Sequence, residues 1–190
     1  MVADIAKQSA LYSEISFLDD CEPAKTGPFP YLGKASQANA YINDHCFFVA
    51  IGNATIRKRL LEELLANGAT VETIIHPSAI ISSDVSIGIG TVVMPGTIVN
   101  TGTTIGRGCI LNTASSVDHD CNVSDYCHVA VGAHLCGTVN VGENTWIGAG
   151  ATVVNNVDIC ADCLIGAGAV VTKHIIAPGK YYGVPARPGI

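Results

Sequence analysis

No stretch of this chain stays apolar for anything near the ~18 residues that a membrane-spanning helix needs. The start, Met1-Val2-Ala3-Asp4, has neither a basic region nor an apolar core behind it. A secretory signal is therefore not expected, and the cytoplasm is the expected compartment. Charge is sparse, at 14% of residues, and its balance is −6, so there is no basic footprint for nucleic acid. There are eight cysteines but no pair of Cys-x2-Cys motifs. Cys160 and Cys163 have that spacing, yet no second pair follows them and the two occupy different places in the repeat described below. A zinc or disulfide framework is thus disfavoured. A 48% apolar fraction with so little charge describes a well-packed globular protein.

What the chain does have is a six-residue register. From Ile75, every sixth residue through Val171 is Ile, Leu or Val, in seventeen consecutive anchors without insertion or break. Four residues after an anchor a second, mostly small residue recurs, including Ala79, Thr91, Thr97, Cys109, Ser115, Cys121, Cys127, Ala133, Thr145, Ala151, Cys163 and Ala169. A period of six fits neither an α-helix nor a simple strand and is the signature of a hexapeptide β-helix. Three hexads make one triangular coil, so between five and six coils stacked at ~4.8 Å give a prism roughly 25–30 Å long. Cys109, Cys121, Cys127 and Cys163 then fill small inward positions as compact apolar groups. Glycines at the second and fourth hexad positions (Gly88, Gly90, Gly106, Gly108, Gly148, Gly150, Gly166, Gly168) mark turns, where positive φ is often needed. Flat prism faces favour symmetric side-by-side association.

The chain divides accordingly into residues 1–74, the repeat over 75–176, and a tail over 177–190 that closes the open end. The first part reads as α/β: helix over 4–13, strand over 15–18, loop over 21–31, a helical turn or two over 36–42, strand over 47–51, helix over 55–67 stopped by Gly68, and strand over 71–75. That alternation suggests a small doubly wound parallel sheet, in which ligands sit beyond the carboxyl ends of the strands. Asp19, Asp20 and Asn53 stand there. A solvated strand end and a helix N-cap explain the same residues. The first strand and Gly-rich turn usual in such a domain are not seen, so the domain is read as shortened at its N-terminus.

Residues that the repeat does not ask for point to chemistry. One hexad, Val117-Asp118-His119-Asp120-Cys121-Asn122, sets ionisable groups at a turn. An imidazole beside a carboxylate is the raw material of a general base, although a surface-turn histidine has the same pattern. His128 and His134 occupy the sixth position of successive hexads and so point from different faces. His45, His76 and His174 have no such company and read as structural or surface residues. A three-histidine zinc site of the β-helix carbonic anhydrase kind needs spacings that are absent here, and no metal is expected.

The repeat, the segment Leu111-Asn112-Thr113-Ala114-Ser115-Ser116-Val117-Asp118-His119-Asp120-Cys121 and the ending Gly183-Val184-Pro185-Ala186-Arg187 resemble the sialic-acid O-acetyltransferase type of sugar acetyltransferase. Phe17-Leu18-Asp19-Asp20 and the run from Ala50 to Lys58 extend the likeness over nearly the whole chain. The motifs are most similar to enzymes that N-acetylate a 4-amino nucleotide sugar, as in bacillosamine or perosamine synthesis. The resemblance implies a left-handed β-helix, a homotrimer, and acetyl-CoA in the groove between two prisms. It implies that His119 is the general base, Asp120 its acidic partner and Asn112 a polar residue near the reacting centre. It implies acetyl-CoA contacts from His128, Ala149 and Ala167, and nucleotide-sugar contacts from Asp19, Asp20 and Asn53. O-acetylation of a sialic acid and a non-catalytic trimeric scaffold are the competing readings.

Overall fold

The structure, a computed structural model, describes residues 1–21 and 28–189. Most of the loop expected over 21–31 lies outside the described residues. The N-terminal part holds helix α1 (Val2–Ser9), strands β1 (Phe17–Leu18) and β2 (Tyr31–Gly33), a 3-10 helix (Ala35–Tyr41), strand β3 (Cys46–Phe47), helix α2 (Ala54–Ala66) and strand β4 (Thr70–Val71). β1 pairs in parallel with β2, and β3 with β4. The expected strand over 71–75 is two separate pieces. Val71 ends β4, whereas Ile74–Ile75 is already the first strand of the repeat. The strand expected over 47–51 is shorter and starts one residue earlier, at Cys46–Phe47, although the apolar run continues to Ile51.

From Ile74 onward the chain is a triangular prism of two-residue strands joined by four-residue turns. Each strand pairs in parallel with the one three hexads later: Ile74 with Val92, Ile80 with Ile98, Ser86 with Thr104. Face one runs from Ile74–Ile75 through Ile110–Leu111, His128–Val129 and Trp146–Ile147 to Cys163–Ile165. Face two runs from Ile80–Ile81 through Ser116–Val117 and His134–Leu135 to Val170–Val171. Face three runs from Ser86–Ile87 through Asn122–Val123 to Asp158–Ile159. The tail adds strand Gly179–Tyr182 beside Cys163–Ile165 and returns antiparallel as Arg187–Pro188.

The anchors form one continuous core, with Val93, Val99, Leu111, Val117, Val123, Val129, Ile147 and Ile165 all fully buried. Ile75, in the first coil, stays 39% exposed because no coil lies beneath it. The small inward positions form a polar ladder as well as filling space. Thr91, Thr103 and Thr145 each donate to a carbonyl one turn on, at Gly106, Asp118 and Cys160. The thiols of Cys109, Cys121 and Cys127 do the same toward Ser124, Cys136 and Gly142. A buried turn carbonyl needs such a donor.

The two glycine-rich hexad positions separate in their reason. Fourteen consecutive fourth positions, from Gly90 to Gly168, lie at positive φ, and half of them carry a side chain, including Ala114, Asp120 and Asn144. The second-position glycines do not have positive φ. They are there because a Cβ on Gly88, Gly142 or Gly148 would come within about 2.5 Å of the next coil's backbone.

The N-terminal part docks on face one and on the corner between faces three and one. Ile5 and Ala6 of α1 cover Ile74, Val92, Met94 and Ile110. Leu61 of α2, 1% exposed, packs with Val49, Val71 and Tyr126. Arg57 is buried to 1% exposure, and its hydrogen-bond partners among the described residues are all carbonyls. Its guanidinium donates to the carbonyls of Ile51 (2.9 Å), Gly52 (2.8 Å), Gly108 (2.6 Å) and Tyr126 (3.0 Å), tying the domain to two coils of the prism.

Candidate active site

The turn Asp118-His119-Asp120 stands at the corner between faces two and three, held by side chains of its own and the preceding coil. Asp118 Oδ1 accepts from Asn100 Nδ2 (2.9 Å) and from the His119 amide (2.9 Å). Those donors, Asn100 first, hold the Asp118 carboxyl below its usual range and keep it ionised. Asp120 takes a left-handed conformation, φ 57, which turns its carboxylate back toward the preceding ring. His119 Nδ1 lies 2.9 Å from Asp120 Oδ2. Since a carboxylate only accepts, Nδ1 carries the proton and Nε2 presents its lone pair outward. The hydrogen bond to Asp120 is the main cause that raises the His119 pKa above its ordinary 6.5. The side chain as a whole is 49% exposed.

A second polar cluster sits on face one and its edge with face two. The Thr113 amide donates to Asn112 Oδ1 at 2.8 Å, which fixes the orientation of the amide. Asn112 Nδ2 therefore points its hydrogens at His128 Nε2, 3.1 Å away. Burial pushes the His128 pKa down to about 4, so the ring is neutral and its one proton is on Nδ1. Trp146 stacks on the opposite side of that ring, with centroids 5.1 Å apart at 19°. On the edge between faces one and two, Ala149, Gly150, Ala167 and Gly168 are all exposed, and a Cβ on either glycine would meet nothing within 4 Å. That edge offers bare backbone along two coils, the surface an extended chain of amides and methylenes needs for close approach.

Residues 1–64 match the family described as the PglD N-terminal domain, and residues 138–173 match the bacterial transferase hexapeptide (six repeats). The acetyltransferase domain of PglB from Neisseria gonorrhoeae superposes with a TM-score of 0.96 at 35% identity, over 98% of this chain and 92% of that one. The same domain has been solved with acetyl coenzyme A. PerB from Caulobacter crescentus, in complex with CoA and GDP-perosamine, superposes with a TM-score of 0.86 at 35% identity, over 92% of this chain and 84% of that one. The chain belongs to the hexapeptide-repeat sugar N-acetyltransferases. The curated UDP-N-acetylbacillosamine N-acetyltransferase of Bacillus subtilis is 46% identical over 50 residues, 26% of this chain and 23% of that enzyme.

In this family member the left-handed β-helix stands as the sequence reading expects, and the domain before it is α/β, but its parallel strands lie in two separate pairs, β1 with β2 and β3 with β4, instead of the single doubly wound sheet expected. The site residues named in the β-helix fall into two groups. His119 and Asp120 meet at one corner, and Asn112 and His128 meet on another surface, near Ala149 and Ala167. Those two groups occupy different edges of one prism, and within one chain they do not touch. His134 points from face two, 2.8 Å from Ser116 Oγ, and so is separated from His128 as the register requires. Asp19 and Asp20 follow β1 and Asn53 precedes α2, each with a hydrogen bond of its own. Their oxygens accept from the amides of Cys21 (2.9 Å), Ala35 (3.2 Å) and Ile56 (3.0 Å). Asn53 is thus the N-cap of α2, the alternative that the sequence leaves open.

Sequence reasoning missed Arg57, whose burial no periodicity announces, and Trp146. The latter was findable: it is the only tryptophan and stands three hexads after His128, the spacing that makes two residues stacking neighbours. His76 bonds Gln8 of α1 at 2.9 Å, and His174 pairs with Asp158 at 3.2 Å, both structural contacts.

Proposed function

We propose that this protein transfers the acetyl group of acetyl-CoA to the amine of a nucleotide-linked 4-amino sugar, with His119 as general base. The observation that carries the reading is the His119–Asp120 pair, in which Nδ1 is held by a carboxylate and Nε2 is left as the acceptor. The amine attacks the thioester carbon, forming the C–N bond, and Nε2 takes the proton the nitrogen loses. Asp120 stabilises the imidazolium. The C–S bond then breaks and the thiolate leaves, regaining a proton from His119. Acetyl-CoA supplies the activated acyl group. The bare edge at Ala149 and Ala167 suits its pantetheine arm, and the Nδ1–H of His128 is a neutral donor for one of its oxygens.

Because base and cofactor edge lie at different corners, the complete site needs two copies, and we assign a homotrimer with sites between prisms. Relatives that bind CoA with GDP-perosamine support a nucleotide sugar as acceptor. Asp19, Asp20 and Asn53 are its proposed contacts, with Asn53 offering its amide hydrogens while its oxygen caps α2. No helix among the described residues is long and apolar enough to cross a membrane, and the cytoplasm, where acetyl-CoA is available, is the proposed compartment.

The test is thiol release from acetyl-CoA against UDP- and GDP-4-amino sugars and free sialic acid. Turnover with an amino sugar supports the assignment, whereas turnover with sialic acid alone converts it to O-acetylation. Near-wild-type turnover in His119→Ala would remove the base. Sedimentation at one chain's mass would remove the shared site.

A further inference from the structure

The third hexad position tops each turn, and between Pro77 and Lys173 it carries a side chain in every hexad but one. The exception is Gly137, one coil beyond His119. Its backbone gives no reason for glycine, because its φ is outside the left-handed region. Gly137 is nevertheless buried, although it lies at a turn. What covers it is the catalytic imidazole: a Cβ there would lie 2.5 Å from His119 Nε2, 2.6 Å from Cε1 and 3.1 Å from Cδ2. The ring cannot back away with its coil, since the Thr138 amide bonds the His119 carbonyl at 2.9 Å and the Asn156 amide bonds that of Gly137 at 3.1 Å. On the other side, a Cβ on Gly102 would lie 2.3 Å from Asp120 Oδ1.

We infer that Gly137 and Gly102 are positioning residues, which form a slot between adjacent coils where the His119 ring and the Asp120 carboxylate lie in hydrogen-bonding alignment. The inference rests on the reading of His119 as the base. Gly137 carries most of it, because Gly102 sits at a fourth position that favours glycine anyway. Adding a methyl at Gly137 displaces a half-exposed side chain rather than backbone, so the fold stays intact while the base is misplaced. A displacement of about 1 Å costs on the order of 10²-fold in rate.

Gly137→Ala is measured three ways: melting temperature, the His119 imidazole titration by 13C NMR (its resonance identified by loss in His119→Ala), and kcat with KM for acetyl-CoA. The expected result is a melting temperature near that of the parent, a His119 titration moved back toward 6.5, and kcat lower by about 10²-fold. In the His119→Ala background the same substitution should cost nothing further. An unmoved titration overturns the slot, whether or not kcat falls. A moved titration with unchanged kcat upholds the slot and removes His119 as base. Gly102→Ala gives a second reading, expected to weaken the same pair from the carboxylate side.

Discussion

Arg57→Met tests how the N-terminal domain is held to the prism. The substitution keeps a long apolar stem and removes a guanidinium that is 1% exposed. Four carbonyls lose their donor, and among the described residues none of the four accepts a backbone hydrogen bond. The contacts to Gly108 and Tyr126 are fully buried, and those to Ile51 and Gly52 partly so. Two buried acceptors left unpaired cost about 1–3 kcal/mol each, the other two less. Relief of the buried charge, whose burial also lowers the Arg57 pKa, offsets part of this. The net expectation is roughly 3 kcal/mol, which for a chain of this length lowers the melting temperature by about 6–12 °C. Calorimetry gives the shift. Hydrogen exchange locates it, with faster exchange expected in α2 and β4 and little change in the central coils. A melting temperature within about 2 °C of the parent, with α2 protection intact, would refute the idea that Arg57 clips the two parts together.

Three further outcomes follow from the same geometry. In Asp120→Asn the main cause of the raised His119 pKa is gone, so the pH at which the base becomes active should fall toward 6.5. The plateau rate should drop by roughly 10²-fold or more as the tautomer is lost; an unmoved pH limb in the kcat profile counts against the pair. His128 is neutral in the folded chain, with a pKa of about 4 against an ordinary 6.5. The unfolded chain binds the extra proton between those values, so stability falls as pH drops through 6.5 toward 4, by about 2.5 kcal/mol at pH 4.5. His128→Gln should flatten that part of a denaturation-versus-pH curve, and equal slopes in both proteins would exclude the assignment. Ser115 Oγ is buried with no hydrogen-bond partner among the described residues, in a position where Ala133 and Ala151 are accommodated. Ser115→Ala should leave thermal stability unchanged or raise it by about 1 kcal/mol; a clear loss would mean that the hydroxyl is satisfied.

The sequence by itself determined the prism. An apolar anchor every sixth residue is buried by a prism of three hexads per coil, from Val93 onward completely, and that arrangement fixes that residues eighteen apart stack. The stacking placed His119 at a turn, set His128 and His134 on different faces, and put Cys109, Cys121 and Cys127 in the core. The carboxylate neighbour of His119 was legible for the same reason, being adjacent in the chain. Tertiary structure decided what depends on non-periodic contacts. Arg57 looks like any helix-surface cation until the corner at Gly108 and Tyr126 closes over it. The tautomer of His128 is set by Asn112 and Thr113 together with burial, none of which a spacing reveals. Asn53 is committed to a helix cap by one distance. Gly137 stands out in the sequence only as the glycine at a third hexad position, and the separation between coils is what shows that an imidazole occupies the space where its side chain would be. Periodicity specifies neighbours along the stack, whereas orientation and protonation depend on the directions in which individual groups point.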